Sequence, residues 1–198
     1  GKSEFSLNLA IEKKVKYLVD LDIVNPYFRS RELDKVLHDH NIELIASPLN
    51  NALGSDLPYI SKEVYTPFYN EGKSIIDLGG NAVGARLVRQ FSHLIDDAKV
   101  DFLLCINVFR EETRTIEAIR KMINEIEASS GVKITGLINN SNLIRDTKTE
   151  DILYGESIIS KLGIKIVYTG VYEKLITPEL KLVGEVIPLK LYLRKDWM

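Results

Sequence analysis

The sequence predicts an α/β domain in which helices cover both faces of a doubly wound, mainly parallel sheet, giving three layers. Six short apolar runs, at 15–20, 42–46, 74–78, 101–107, 133–138 and 164–168, alternate with helical patterns at 3–13, 29–39, 59–70, 82–97, 113–129 and 149–162. Strand–helix alternation over a whole chain implies parallel strands joined by right-handed crossovers. The runs are apolar throughout rather than alternating, as expected of strands covered on both faces. The 198 residues, 45% of them apolar, suffice for one such domain over 1–198 with a substantial core. No internal repeat, linker or low-complexity tract divides them.

Taken in order, the first helix opens directly on Gly1-Lys2-Ser3 and continues through the apolar-periodic Glu4-Phe5-Ser6-Leu7-Asn8-Leu9-Ala10-Ile11. The run at 15–20 leads into Asp20-Leu21-Asp22, and Asn25-Pro26 breaks regular structure behind it. The run at 74–78 has the same design, with Asp77 followed by Gly79-Gly80 and a glycine-containing turn, Asn81-Ala82-Val83-Gly84-Ala85-Arg86. Cys105 sits in the apolar run 101–107 and reads as a buried structural thiol. The run at 133–138 meets Asn139-Asn140. Ser130-Gly131 and Leu162-Gly163 are helix stops, and Thr147-Lys148-Thr149-Glu150 fits a capping box for the last helix.

These positions share a chemistry. At the start of a helix, Gly lets the backbone approach a phosphate, the Lys ammonium neutralises it, the Ser hydroxyl can ligate Mg²⁺, and the helix N-terminus adds partial positive charge. A carboxylate at the C-terminal edge of a parallel sheet lies where such sheets bind ligands. Asp22 and Asp77 both end strands in this way.

The order Gly1-Lys2-Ser3, Asp20-Leu21-Asp22, Asp77-Leu78-Gly79-Gly80 and Gly136-Leu137-Ile138-Asn139-Asn140 resembles the P-loop ATPases of the MinD/ParA type, and the resemblance spans nearly the whole chain. It implies a P-loop nucleotide-binding fold, ATP and Mg²⁺ as ligands, and slow hydrolysis that drives a conformational or partner-binding cycle. By the same resemblance Gly1, Lys2 and Ser3 bind phosphate, Ser3 and Asp77 hold the metal directly or through water, and Asp22 orients the attacking water. Asn140, with Asn139 as its competitor, reads the adenine edge. The resemblance further implies a nucleotide-dependent homodimer and a protein partner that the sequence does not identify. Two departures stand out: Leu78 replaces the family's Pro, and the family's second Lys belongs to an upstream part of the loop outside this sequence. A P-loop follows a central strand, so the expectation is an apolar strand and a Gly-rich loop upstream of Gly1. On the same scaffold the alternatives are an ATP-dependent ligase or kinase resembling dethiobiotin synthetase, and a nucleotide-binding adaptor without turnover.

A net charge of −2 gives no global attraction to nucleic acid or to an anionic membrane. No apolar run approaches the ~20 residues that span a bilayer, so the expectation is a soluble, cytoplasmic protein. A single cysteine excludes an intrachain disulfide and a Cys-x-x-Cys metal bridge. His38 and His40 point to different helix faces and read as solvated, as does His93. Arg29 or Arg31, Arg86, and Arg110 with Arg114 follow strand ends, where basic groups can meet a ligand. The aromatic stretch 57–69 reads as core packing rather than as a stacking surface for bases.

Overall fold

The first helix, α1 (Lys2–Glu12), buries almost its entire length, including Phe5, Leu7, Leu9 and Ala10. At roughly 1.5–3 kcal/mol for each large apolar side chain removed from water, this packing holds α1 in place. The computed structural model describes residues 1–22, 31–46, 62–80, 82–95 and 100–193. Arg29, with the segment around it, and the start of the aromatic stretch, 57–61, lie outside the described residues; of the rest, Tyr65 and Phe68 pack into a core cluster.

Seven strands, all parallel to their neighbours, form two sheets among the described residues. The first contains β1 (Tyr17–Leu21), β2 (Glu43–Ala46) and β3 (Ser74–Leu78) in the order β2-β1-β3. The second contains β4 (Leu103–Ile106), β5 (Gly136–Asn139), β6 (Ile166–Tyr172) and β7 (Glu185–Leu189), ordered β4-β5-β6-β7. The sequence predicts one sheet; in the structure no ladder joins β3 to β4. The seventh strand, β7, lies beyond the six runs expected from the sequence. Pro188 is tolerated because β7 is the outer strand of its sheet, where one side needs no ladder donors.

Helices pack against both faces of the sheets, as expected of an α/β fold. Leu7 and Ala10 of α1 pack with Leu18 of β1 and with Leu33 and Leu37 of α2 (Arg31–Asp39). Phe5 and Leu9, on the neighbouring side of α1, pack with Ile138 of β5 and Ile187 of β7, so this helix crosses both sheets. On the opposite face Tyr17, Val19 and Leu21 meet Val64, Leu87 and Phe91, with Phe68 of α3 (Thr66–Tyr69) beside them. There the predicted helix 82–97 is α4 (Ala82–Val88), a tight turn at Arg89–Phe91, and α5 (Ser92–Ile95). Ala85 of α4 joins Ile119, Ile123 and Ile126 of α6 (Ile116–Ser130) and Leu104 and Ile106 of β4 in one core.

The α6 boundaries follow local chemistry. The Thr115 hydroxyl accepts from Ala118 N at 3.1 Å, which starts the helix three residues later than the periodicity suggests, and Gly131 at φ 76° ends it. The last helix, α7 (Thr149–Ser160), is capped one residue later than expected. The Asp151 carboxylate accepts from Lys148 N at 2.8 Å, while the Thr147 hydroxyl accepts from Leu143 N and donates to Ile144 O.

Candidate phosphate and metal site

The ends of β1 and β3 and the start of α1 converge on one cluster of charge. Asp20 pairs in register with Asp77, which places both carboxylates on one face of adjacent strands, and Asp22 follows Asp20 at the two-residue repeat of that face. The Lys2 ammonium, on the first turn of α1, lies 2.7 Å from Asp77 Oδ1 and 3.5 Å from Asp22 Oδ2. Ser6, one turn further along the same helix face, donates its hydroxyl to Asp77 Oδ1 at 3.1 Å. The other Asp77 oxygen, Oδ2, is buried with no hydrogen-bond partner among the described residues. A buried carboxylate oxygen in that condition carries an unmet acceptor.

Burial also acts on Asp20. Removal from water pushes its carboxyl up to about 6, the charges of Asp77 and Asp22 add to this, and the Asp22 N–H bonded to Asp20 Oδ1 at 3.0 Å and Lys2 oppose it. The second acid of the Asp20-Leu21-Asp22 element is therefore held by the first.

Gly1 stands at the N-cap of α1, and its carbonyl accepts from Phe5 N at 3.0 Å. A Cβ on Gly1 would lie 2.8 Å from the side-chain nitrogen of Asn140, so a side chain there would displace the Asn140 amide. Ser3, beside them, is buried. Asn140 is buried with its amide against Gly1, whereas Asn139 donates to Ile152 O at 3.0 Å and accepts from Ser141 N at 3.1 Å, tying β5 to α7. The two asparagines thus separate: Asn140 reaches the cluster and Asn139 is engaged away from it.

A cavity of about 630 Å³ adjoins the cluster. Gly1, Lys2, Gly79, Asn107, Arg110 and Asn140 line its polar end. Gly84 is required beside it, because a Cβ there would collide with the backbone of Gly79 and push α4 away from the end of β3. Arg86 is exposed on α4, and His38 and His40 are exposed on and just beyond α2. Cys105 is half-buried, and burial pushes its thiol up to about 11, in keeping with a structural role.

Sequence reasoning gave no role to Ser6, Asp20 or Asn107. Ser6 was legible as the residue four after Lys2. Asn107 ends β4 as Asn140 ends β5; its side chain donates to Asn142 O at 3.0 Å and accepts from Phe109 N at 3.0 Å, joining the two loops at the sheet edge. Among the described residues no group of three or more His, Cys, Asp or Glu side chains is arranged as a metal site, and no helix is long and apolar enough to cross a membrane. No family model matches the chain, and no curated protein matches it.

Proposed function

We propose that this protein binds ATP with Mg²⁺ at the start of α1 and hydrolyses it slowly, as a nucleotide-driven switch on a P-loop fold of the MinD/ParA-like kind. The observation that carries the reading is the meeting of Lys2, Asp22 and Asp77 at the C-terminal edge of a parallel sheet, beside a cavity lined by Gly1 and Asn140.

The chain's own groups divide the work. Lys2 neutralises phosphate oxygens, and the amides at the α1 N-terminus add to that positive field. Without a phosphate the ammonium rests on Asp77 and Asp22. A phosphate that draws Lys2 away therefore releases both acids at once. Asp77, with an unmet buried oxygen, and the Ser3 hydroxyl fit Mg²⁺, directly or through water. Bound there, Mg²⁺ would neutralise charge on the transferring phosphoryl group. Asp22, released from Lys2 and still fixed through its N–H to Asp20, orients the attacking water. Asn140, pressed against Gly1, supplies an amide to the base.

Phosphate release by the intact protein and by Asp22→Asn, measured with nucleotide binding on the same samples, tests this division. Asp22→Asn should bind Mg·ATP as the wild type does and lose hydrolysis. Equal hydrolysis by the two proteins would overturn the role of Asp22.

A further inference from the structure

Two polar side chains of α1 are buried among apolar ones. Glu4 and Asn8, four residues apart and therefore on one face of the helix, are only 8% and 4% exposed. Both engage the backbone of the segment that follows β7. The Asn8 amide accepts from Lys190 N and donates to Lys190 O, each at 2.9 Å. The Glu4 carboxylate accepts from Tyr192 N at 2.7 Å through Oε1 and from Leu193 N at 3.0 Å through Oε2. The backbone groups of 190–193 are thus satisfied by side chains of a helix rather than by a neighbouring strand. The Tyr192 and Leu193 side chains pack against the cluster of Leu7 and Ala10 of α1, Leu18 of β1, and Leu33 and Leu37 of α2. Residues 190–193 therefore form a strap that ties α1 to β1 and α2.

The place of Glu4 in α1 calls for a reason. It follows Ser3 directly, in the first helical turn. A carboxylate there suits the positive end of the helix but opposes a phosphate at the same end. Its burial also costs more than that of an apolar side chain of similar volume. Stability and phosphate attraction both argue against Glu4, and position argues for it. Lys2 reaches Asp77 and Asp22 from this same turn, which the bond from Phe5 N to Gly1 O closes. Terminal turns are where helices fray.

We propose that Glu4 is a positioning residue: by gripping the 190–193 strap it fixes the first turn of α1 and so holds the Lys2 ammonium between Asp22 and Asp77. Displacing the strap frees that turn, which makes 190–193 a control point for the charge cluster. Control of nucleotide binding through the strap rests on Lys2 being the phosphate lysine proposed above. The grip on Lys2 does not, and it is read without nucleotide.

Two measurements on the full chain test it: the rate at which acetic anhydride acetylates Lys2, and hydrogen exchange of the α1 and 190–193 amides, both read by mass spectrometry. The buried strand β5 serves as the internal reference. Glu4→Ala should speed exchange at 190–193 and at Phe5 by about tenfold and raise Lys2 acetylation, with β5 unchanged. Glu4→Gln, which keeps one accepting oxygen, should fall between wild type and Glu4→Ala. Leu193→Pro, which removes a strap donor, should loosen Lys2 more than Leu193→Ala, which keeps it. The double variant Glu4→Ala/Leu193→Pro should be no looser than Glu4→Ala, since both changes break one contact. Should Glu4→Ala fail to fold, Glu4→Gln and the two Leu193 variants decide on the same readouts. Three results would each overturn the proposal: Lys2 acetylation unchanged while the strap exchanges faster, additive loosening in the double variant, or exchange rising equally in β5. With Mg·ATP, Glu4→Gln should bind more weakly than wild type; tighter binding would show that Glu4 acts on phosphate through its charge and would overturn the positioning role. A wild type that binds no Mg·ATP, with Lys2 loosened in Glu4→Ala, would sink the nucleotide reading and uphold the grip.

Discussion

Asp20→Asn should stabilise the protein at pH 8 and leave its stability at pH 4 unchanged. The Asp20 carboxyl is raised from an ordinary 3.8 to about 6, chiefly because burial disfavours its charged form. The folded state therefore holds the proton more tightly than the unfolded chain, so stability falls as pH rises from about 4 to about 6 and is level above that. At 1.36 kcal/mol for each pH step, the span from 3.8 to about 6 corresponds to about 3 kcal/mol as an upper limit. Partial contact with water reduces this to about 2 kcal/mol. Asparagine keeps an oxygen to accept from Asp22 N, at 3.0 Å in the wild type, and removes only the charge. For a chain of this size about 2 kcal/mol corresponds to a Tm rise of about 4–8 °C. Thermal melts of both proteins at pH 4 and pH 8, without nucleotide or divalent metal, measure it. A variant no more stable than wild type at pH 8, or an equal gain at both pH values, would refute the argument that Asp20 is a buried carboxylate held at a cost.

Two further outcomes follow from other parts of the molecule. Buried Glu156 accepts from the Thr169 hydroxyl at 2.9 Å, from Val183 N at 2.9 Å and from Gly184 N at 3.2 Å. Glu156→Ala strands these donors and should cost about 2–4 kcal/mol in urea unfolding, with Glu156→Gln costing less; equal losses would show that packing rather than acceptance holds that segment. Asp22→Asn saturated with Mg·ATP should dimerise in light scattering while the ADP-bound form stays lighter, since Asp22 and Gly80 both lie at the edge of the sheet where the candidate site forms. An unchanged mass with both nucleotides would remove the dimer switch and favour a ligase or kinase acting as a monomer.

The α/β class, the parallel direction and the edge where the candidate site forms were legible because they follow from apolar runs and from the residues ending them. Asp22 and Asp77 could be paired on paper, since each closes a strand and parallel strands end on one edge. Their grip on Lys2 was not legible, because it depends on which neighbours β1 takes and on its register with β3. Asn139 and Asn140 show the same limit. Adjacent residues of a strand face opposite sides, and only the position of α7 decides which amide is engaged at Ile152 and which faces Gly1. Strand β7 was not among the expected runs; it carries Pro188, which an outer strand tolerates. Ser6, four residues after Lys2, lies on the same helix face one turn on, a placement the helical repeat alone implies.

The central claim is that Lys2 is a phosphate-binding lysine, and calorimetric titration of Mg·ATP into the intact protein and its Lys2→Ala variant tests it most directly. Loss of a charge-assisted contact of this kind costs about 2 kcal/mol or more, so the variant should bind at least about 30-fold more weakly than wild type. Equal affinity in the two proteins, with the variant shown to be folded by its thermal melt, would contradict the assignment of this site.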